Sequence, residues 1–257
     1  MPRFYADIPE CRSDKGLGLV KPEFATIMGD DYNHIKNVLR MARGDNLTLC
    51  NGSGTDYEGV LEDFKDGTVI IRIASFYKNT SEPDVKVTLF QGIPKSDKMD
   101  GIVMKAVELG VFSIVPVITS RTVVRFGDIP DKVKKRERWQ RIAVEAAKQC
   151  NRGIIPEIKL PIDIAEAIVQ HSSFCPFIMP YENEKDLYLS EYLKKNPIQS
   201  FSSVSVLIGP EGGFSQEEAA AASECGIVQV SLGRRVLRTE TAGMAALSVI
   251  MSSIGEM

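Results

Sequence analysis

Histidine is scarce in this 257-residue chain: His34 and His171 are the only two, and they lie far apart. A histidine-based metal site is therefore not expected, and no metal is assigned. Five cysteines (Cys11, Cys50, Cys150, Cys175, Cys225) form no C-x-x-C pair, and their odd number argues against a disulfide framework. They read as reduced, mostly buried thiols of a cytoplasmic protein. The amino terminus, Met1-Pro2-Arg3-Phe4-Tyr5-Ala6-Asp7, lacks the apolar core of a signal peptide, and no apolar run approaches membrane-spanning length. An excess of positive charge is also missing. The net charge of -3 argues against a protein coated for unspecific nucleic-acid binding, though a local basic face stays open. Neither G-x-x-x-x-G-K-[ST] nor G-x-G-x-x-G occurs, which disfavours an ordinary ATP or NAD enzyme.

What remains is an enzyme-sized globular composition, 44% hydrophobic and 25% charged, large enough to bury a core without disulfides or metal. Residues 1–75 read as a small β-barrel with a helix plugged into it. Arg3 to Ala6 forms a short strand, and Asp30 or Asp31 caps a helix through His34, Ile35, Val38 and Leu39 that ends at Gly44-Asp45. Three further strands, Leu47–Cys50, Tyr57–Leu61 and Thr68–Ile73, are separated by glycine turns. A linker is expected over 76–84, where Lys78-Asn79-Thr80-Ser81-Glu82-Pro83-Asp84 is polar and holds a proline. From 85 to 257 strands and helices alternate. Strands are expected at Val85–Ile93, Phe112–Ile118, Phe174–Pro180, Val204–Ile208 and Val228–Leu232. Helices are expected at Ser96–Leu109, Asp131–Cys150, Ile162–Gln170, Ser215–Cys225 and Thr241–Ser253. The class is α/β, with a mostly parallel sheet covered on both faces.

Two connections near the carboxy end carry the chemistry. Leu207-Ile208-Gly209-Pro210-Glu211-Gly212-Gly213-Phe214-Ser215-Gln216-Glu217-Glu218 leaves a β-branched run, turns on glycine and enters a helix. Ser215 and Glu218 have capping-box spacing, so the helix should begin at Ser215. Leu232-Gly233-Arg234-Arg235-Val236-Leu237-Arg238-Thr239-Glu240-Thr241-Ala242 repeats the scheme with three arginines. Open α/β sheets bind ligands beyond the carboxyl ends of their strands, where such loops lie. A plain strand-to-helix turn with Glu211 as a surface carboxylate, and Arg238 as a structural ion-pair partner, are the alternatives. The helix after Thr241 is apolar nearly all round and must be covered by another element or a second subunit.

The segments Ile208-Gly-Pro-Glu-Gly-Gly-Phe-Ser-Gln-Glu-Glu and Leu232-Gly-Arg-Arg-Val-Leu-Arg-Thr-Glu-Thr-Ala resemble the SPOUT (α/β-knot) class of methyltransferases. Within it they resemble the enzymes that methylate N3 of a uridine in small-subunit (16S) ribosomal RNA. Pro2-Arg3-Phe4, His34-Ile35-x-x-Val38-Leu39-Arg40 and Gly44-Asp45 resemble that family's PUA-like RNA-binding barrel. Lys95-x-Asp97-Lys98-Met99-Asp100, Lys105 to Val111, and Arg138-Trp139 to Gln149 resemble its remaining blocks. Cys150-Asn151-Arg152 departs from the small residues usual before that arginine.

The resemblance implies a trefoil knot in the last third, a homodimer packed through the knot region, and S-adenosylmethionine as cofactor. It implies a cofactor site from Pro180, Leu207, Ile208, Gly209, Pro210, Glu211, Gly212, Gly213, Leu232, Gly233, Val236, Leu237, Arg238 and Thr241. The ribose-methylating branch has an Asn-containing, Ser-rich loop where this chain has Arg238-Thr239-Glu240-Thr241, so a base nitrogen is the expected acceptor. Uracil N3 must lose its proton to attack a methyl group. Glu240 or Glu211 is the candidate acceptor and Arg238 the stabiliser of charge growing on the flanking carbonyls. A ribose 2′-O-methyltransferase of the same fold and a non-catalytic RNA-binding factor are the competing readings.

RNA contacts are expected from Arg3, His34 and Arg40 in the barrel and from Lys95, Lys98, Arg138, Glu145, Gln149 and Arg152 beyond it. At about 100° per residue, Arg138, Arg141, Glu145 and Gln149 flank a buried stripe of Trp139, Ile142, Ala143, Ala146, Ala147 and Cys150. Since N3 of a paired uracil is hidden, the RNA target should be single-stranded or distorted, within ribosomal RNA or the small subunit.

Overall fold

The computed structural model describes residues 1–8, 11–12, 19–20, 22–169 and 175–257. His171 and the starts or ends of two expected elements, Phe174 and Gln170, lie outside the described residues. The chain divides into two compact units, one of Met1–Glu82 with Lys148–Ile155, the other of Pro83–Ala147 with Pro156–Met257.

In the first unit, strands β1 (Arg3–Tyr5), β4 (Phe24–Ile27), β5 (Asn46–Cys50), β6 (Thr55–Lys65) and β7 (Thr68–Lys78) form one sheet in the order β1-β5-β6-β7-β4. β1 runs parallel to β5; the other pairs are antiparallel. A two-stranded ribbon of β2 (Cys11–Arg12) and β3 (Leu19–Val20) stands apart. Period-two alternation turns Val69, Ile71 and Ile73 of β7 inward, where they pack with Phe4, Ile27, Ile35, Leu47, Leu49 and Leu61. Gly59 sits at a register shift in β6, and a Cβ there would lie 2.4 Å from Ile71 Cγ2; only glycine fits.

The helix of this unit departs from expectation. It is a four-residue turn α1 (Asp30–Asn33) that widens into a π-helical turn over His34–Val38. Gly29, not an aspartate, occupies the N-cap, with Asp30 and Asp31 in the first turn. The chain turns away at Arg40, whose φ is +53, rather than at Gly44. Only Ile35 of the π turn is buried, so one apolar anchor cannot sustain the longer helix that its spacing suggests.

The second unit is built on a wholly parallel sheet in the order β10-β9-β8-β13-β12-β14, with β11 also on β9. Its strands are β8 (Lys86–Gly92), β9 (Ser113–Ile118), β10 (Glu157–Ile158), β11 (Ile162–Asp163), β12 (Phe177–Pro180), β13 (Ser203–Ile208) and β14 (Val228–Val230). The helices are α2 (Lys98–Glu108), α3 (Ile129–Gln149), α4 (Ile164–Val169), α5 (Leu189–Lys195), α6 (Gln216–Glu224) and α7 (Thr239–Ser253). α3 ends just inside the first unit. α5 was not anticipated, although Leu189 and Leu193, four residues apart, are its buried members. Alternation along β13 separates the two faces. Leu207 joins Phe177, Ala167 and Ala219 in the cluster beside α4 and α6, whereas Ile208 lies toward Gly243 of α7. Strand order reverses at β8, which has β9 on one side and β13 on the other. That reversal opens a crevice at the carboxyl ends of the strands. No described helix is long and apolar enough to cross a membrane.

Candidate active site

The loops after β8, β12, β13 and β14 meet at that crevice. A cleft of about 370 Å³ is lined by Gly209 to Phe214 from one loop and Val236 to Thr239 from another, with Pro180 at the end of β12 and Glu182 just after it. A smaller recess of about 90 Å³ continues it past Leu232, Gly233 and Arg234. Thr239 joins the two principal loops. Its hydroxyl donates to the Gly209 carbonyl at 2.6 Å and accepts from Gln91 Nε2 at 2.9 Å. Both Thr239 and Gln91 are buried, and Gln91 Nε2 also donates to the Gly92 carbonyl at 2.9 Å. Gly92 permits this closeness, because a Cβ there would lie 2.5 Å from the Pro210 nitrogen.

The first loop is stiff. Ser215 caps α6 with both halves of the capping box present, as its spacing with Glu218 predicted. Glu218 also accepts the Ser120 N–H at 2.7 Å, and Arg121 donates to the Gly212 carbonyl at 2.7 Å. Gly213 has φ +67, and a Cβ on it would come within 2.6 Å of the Glu182 carboxylate. The positive φ calls for glycine, and a Cβ would push the end of the Glu182 side chain aside.

Charge is concentrated at the entrance. Lys98 Nζ lies 3.0 Å from Glu211 Oε1 and 3.5 Å from Glu240 Oε1. The Lys98 ammonium is held above its ordinary range, first by the hydrogen bond with Glu211. Burial alone would raise the Glu211 carboxyl. Its own backbone N–H, Lys98 and the Lys95 N–H outweigh that and hold it below the usual carboxylate range. Arg238 occupies the N-cap position of α7, is exposed, and has no side-chain partner among the described residues. Glu240 follows in the first turn, where the positive end of a 15-residue helix favours an anion.

The expected cofactor residues fall into two groups. Pro180, Ile208, Gly209, Pro210, Glu211, Gly212, Gly213, Val236, Leu237 and Arg238 line the main cleft, and Leu232 and Gly233 its extension. Leu207 does not; it is fully buried on the opposite face of the sheet, because neighbouring strand residues alternate. Thr241 does not either. It is exposed on α7, and Thr239 takes the position facing the loop. Glu182, Phe214, Thr239 and Ala242 line the cleft without having been anticipated, and Gln91 supports it. Glu182 could have been sought because it follows the carboxyl end of a buried strand; Gln91 carried no signal beyond being a polar residue at the end of an apolar run.

The expected RNA contacts also divide. His34 and Arg40 are exposed, with His34 edge-on to Phe4, and Lys95, Glu145 and Gln149 are exposed as well. Arg152 is 3% exposed, its guanidinium is bound to Glu82 at 2.7 Å, and Glu82 also accepts the Gly153 and Ile154 N–H groups. Arg3 is bound to Asp56 at 2.9 Å and to the Arg152 carbonyl at 3.0 Å. A buried guanidinium already paired with a carboxylate cannot reach a phosphate without breaking that pair. Arg138 is half-exposed but tied to Asp100 at 2.5 Å and Asp97 at 3.2 Å, so its charge is largely matched. Lys98 belongs to the cleft. Lys134, Lys135 and Arg141 remain exposed along α3, while Ile142 and Cys150 of the expected stripe are only half-buried.

Comparison with known proteins gives a consistent result. The family described as RNA methyltransferase domain matches residues 81–251, and the one described as RNA methyltransferase PUA domain matches residues 27–74. The chain is 31% identical over 260 residues to the ribosomal RNA small subunit methyltransferase E of Bacillus subtilis, covering 97% of this chain and 96% of that protein. Its namesake from Buchnera aphidicola (Schizaphis graminum) is 31% identical, with 90% and 91% covered. Among solved structures, the ribosomal RNA small subunit methyltransferase E from Neisseria gonorrhoeae, bound to S-adenosyl methionine, superimposes with a TM-score of 0.79. It shares 30% identity, with 98% of this chain and 97% of that one covered.

Proposed function

Because this chain belongs to the RNA methyltransferase family, and within it to the ribosomal RNA small subunit methyltransferases E, we propose that it transfers a methyl group from S-adenosylmethionine to N3 of a uridine in small-subunit ribosomal RNA. The observation that carries this reading is the convergence of the two glycine-turned loops on one cleft, locked by the Thr239–Gly209 hydrogen bond.

The cleft suits the cofactor. Its volume of about 370 Å³ falls within the range of small-molecule sites, roughly 300–1,000 Å³. Ile208, Phe214, Val236 and Leu237 offer apolar walls for a purine, and the glycines let backbone amides and carbonyls approach it. The Glu182 and Glu211 carboxylates face a ligand that carries positive charge. When bound, S-adenosylmethionine supplies an activated methyl group whose transfer neutralises a sulfonium.

The chain's own residues then have two tasks. Gly209 to Gly213 and Val236 to Arg238 hold the reactants in line and exclude water, which accounts for much of the rate in such a transfer. Glu240 or Glu211 accepts the N3 proton, and Arg238, exposed at the helix start, faces the charge that grows on the uracil carbonyls. His34, Arg40, Lys95 and the exposed basic residues of α3 hold RNA phosphates, and the uridine is presented unpaired. The protein acts in the cytoplasm as a homodimer packed through a trefoil-knotted carboxy-terminal region, with α7 at the interface; Ala242, Met244, Ala245 and Val249 are its incompletely buried apolar members.

Mass spectrometry of small-subunit ribosomal RNA from cells lacking this protein should show one methyluridine missing. Its restoration by purified protein and S-adenosylmethionine should leave the modified position cleavable by alkali. Resistance to alkali would mean ribose methylation. A calorimetric titration with no S-adenosylmethionine binding would indicate a factor without catalysis.

A further inference from the structure

The cations around the two clefts are not equally matched. Lys98 is held between Glu211 and Glu240, and the Lys185 ammonium donates to the Glu182 carbonyl. Arg234 and Arg235, which line the smaller recess, are exposed and have no hydrogen-bond or ion-pair partner among the described residues. Other arginines of the chain are matched: Arg43 and Arg72 share Glu62, and Arg138 takes Asp97 and Asp100. The contrast has a local cause. No acidic residue lies between Ser231 and Arg238, and the next one, Glu240, is taken by Lys98. Glu182, the one carboxylate among the described residues lining the recess, stands against Gly213 instead, where an added Cβ would lie 2.6 Å from it. In a chain of net charge -3, two guanidinium groups beside Lys185 thus make a patch of one sign, which draws anions to this rim.

The loop that carries the pair is fastened at both ends. The Gly233 N–H donates to Ser231 Oγ at 3.3 Å at its start, and Thr239 holds its end against the Gly209 carbonyl at 2.6 Å. Between these points Val236 is 83% exposed, so the middle of the loop stands out at the mouth. A uridine can enter the cleft only with its own backbone attached. The phosphodiesters on either side of an extruded base therefore stay at the mouth, where unmatched cations meet them. We infer that Arg234 and Arg235 form a phosphate clamp for the RNA strand beside the target uridine, a role distinct from that of Arg238 in the chemistry. This rests on the RNA-substrate reading above. Arginine suits the task, because its planar fork takes two phosphate oxygens at once. Two exposed guanidinium groups also carry more charge than the single carboxylate of S-adenosylmethionine matches, whereas a strand offers a phosphate at every nucleotide.

Full-length wild type, R234A/R235A and R234K/R235K test the clamp. Binding to small-subunit ribosomal RNA is read by fluorescence anisotropy across a salt series, S-adenosylmethionine binding by calorimetry, and folding by thermal melting. R234A/R235A should weaken RNA binding at least about tenfold, because hydrogen bonds to charged groups are lost. The slope of log affinity against log salt should shrink by about 1.4, as for two phosphate contacts on a single strand. In steady-state methylation, KM for RNA should rise more than kcat falls. R234K/R235K should restore the salt slope, since it restores the charge, and only part of the affinity, since lysine lacks the fork. S-adenosylmethionine affinity should stay within about twofold in both variants, and melting within about 2 °C, as for exposed side chains. An R234A/R235A protein with wild-type RNA affinity and salt slope overturns the inference. So does a loss of S-adenosylmethionine affinity with RNA binding intact, which assigns the pair to the cofactor carboxylate. Polyglutamate that displaces labelled RNA as well as unlabelled RNA does also overturns it, because that marks a site for acidic peptides. A wild type that binds S-adenosylmethionine but no ribosomal RNA overturns the RNA-substrate reading and this inference with it.

Discussion

Replacing Thr239 with valine tests the joint between the two loops. The substitution keeps the shape and removes one hydroxyl that makes two buried hydrogen bonds, to Gly209 at 2.6 Å and from Gln91 at 2.9 Å. Each such bond contributes about 0.5–1.5 kcal/mol net, and a buried group left without any partner costs about 1–3 kcal/mol. Gln91 Nε2 keeps the Gly92 carbonyl, so its loss is near the lower figure. The Gly209 carbonyl borders the open cleft and can recruit water, which trims its share. The sum is about 2–3 kcal/mol. For a unit of this size, about 2–4 °C per kcal/mol turns that into a fall in melting temperature of roughly 4–12 °C. Thr239→Ser should retain most of the stability, because it keeps the hydroxyl. Differential scanning calorimetry of the three proteins, with and without S-adenosylmethionine, reads both stability and affinity. A T239V melting temperature within about 1 °C of wild type, or a T239S as unstable as T239V, would refute the claim that this hydroxyl fastens the loops.

Gly213→Ala should weaken S-adenosylmethionine binding at least about tenfold by calorimetry, because a φ of +67 costs an L-residue about 1–2 kcal/mol and the new Cβ displaces Glu182. Arg152→Ala should lower the stability of the first unit by about 3–5 kcal/mol in urea unfolding, by leaving Glu82 without its buried partner. The salt slope of RNA binding at permissive temperature should not change. Glu211 supplies a pH signature. Its folded carboxyl lies below the ordinary value of 4.5, so its stabilising contribution is complete above that pH and is lost as pH falls through the lower, folded value. Glu211→Gln should therefore flatten the acid limb of a stability-against-pH curve below about pH 4.5, and an unchanged limb would count against the Lys98–Glu211 pair. Alkylation should spare Cys50, whose thiol burial pushes up to about 11, while the exposed Cys225 reacts.

Elements with a strong local signature were legible in order. The apolar runs of β8, β9 and β13 announce buried parallel strands, and Ser215 with Glu218 marks the start of α6 to the residue. Boundaries drifted where the signal was weak. α7 begins at Thr239, two residues before the expected start, because an arginine in extended conformation at its N-cap has no sequence signature. β7 runs on to Lys78, into the segment that composition marks as linker, because backbone pairing with β6 continues past the last inward-facing side chain. The short helix at His34 failed for the converse reason: its spacing is helical, but a single buried residue does not sustain the helix.

Side-chain roles were harder. Arg3, Arg138 and Arg152 look alike in a sequence, and so do Lys95 and Lys98; each is a cation beside polar neighbours. Burial and partner decide among them, and both come from residues as distant as Asp56, Glu82 and Glu240. By itself the chain's order of residues determined the α/β class and the two glycine loops, because these depend on local periodicity and turn stereochemistry; the chemistry assigned to the loops followed from their resemblance to a known family. The tertiary structure decided which face of β13 meets the cleft, that Thr239 rather than Thr241 fastens it, and that Lys98 stands between two carboxylates. Those facts are distances between residues remote in the chain, and no local pattern encodes a distance across a sheet.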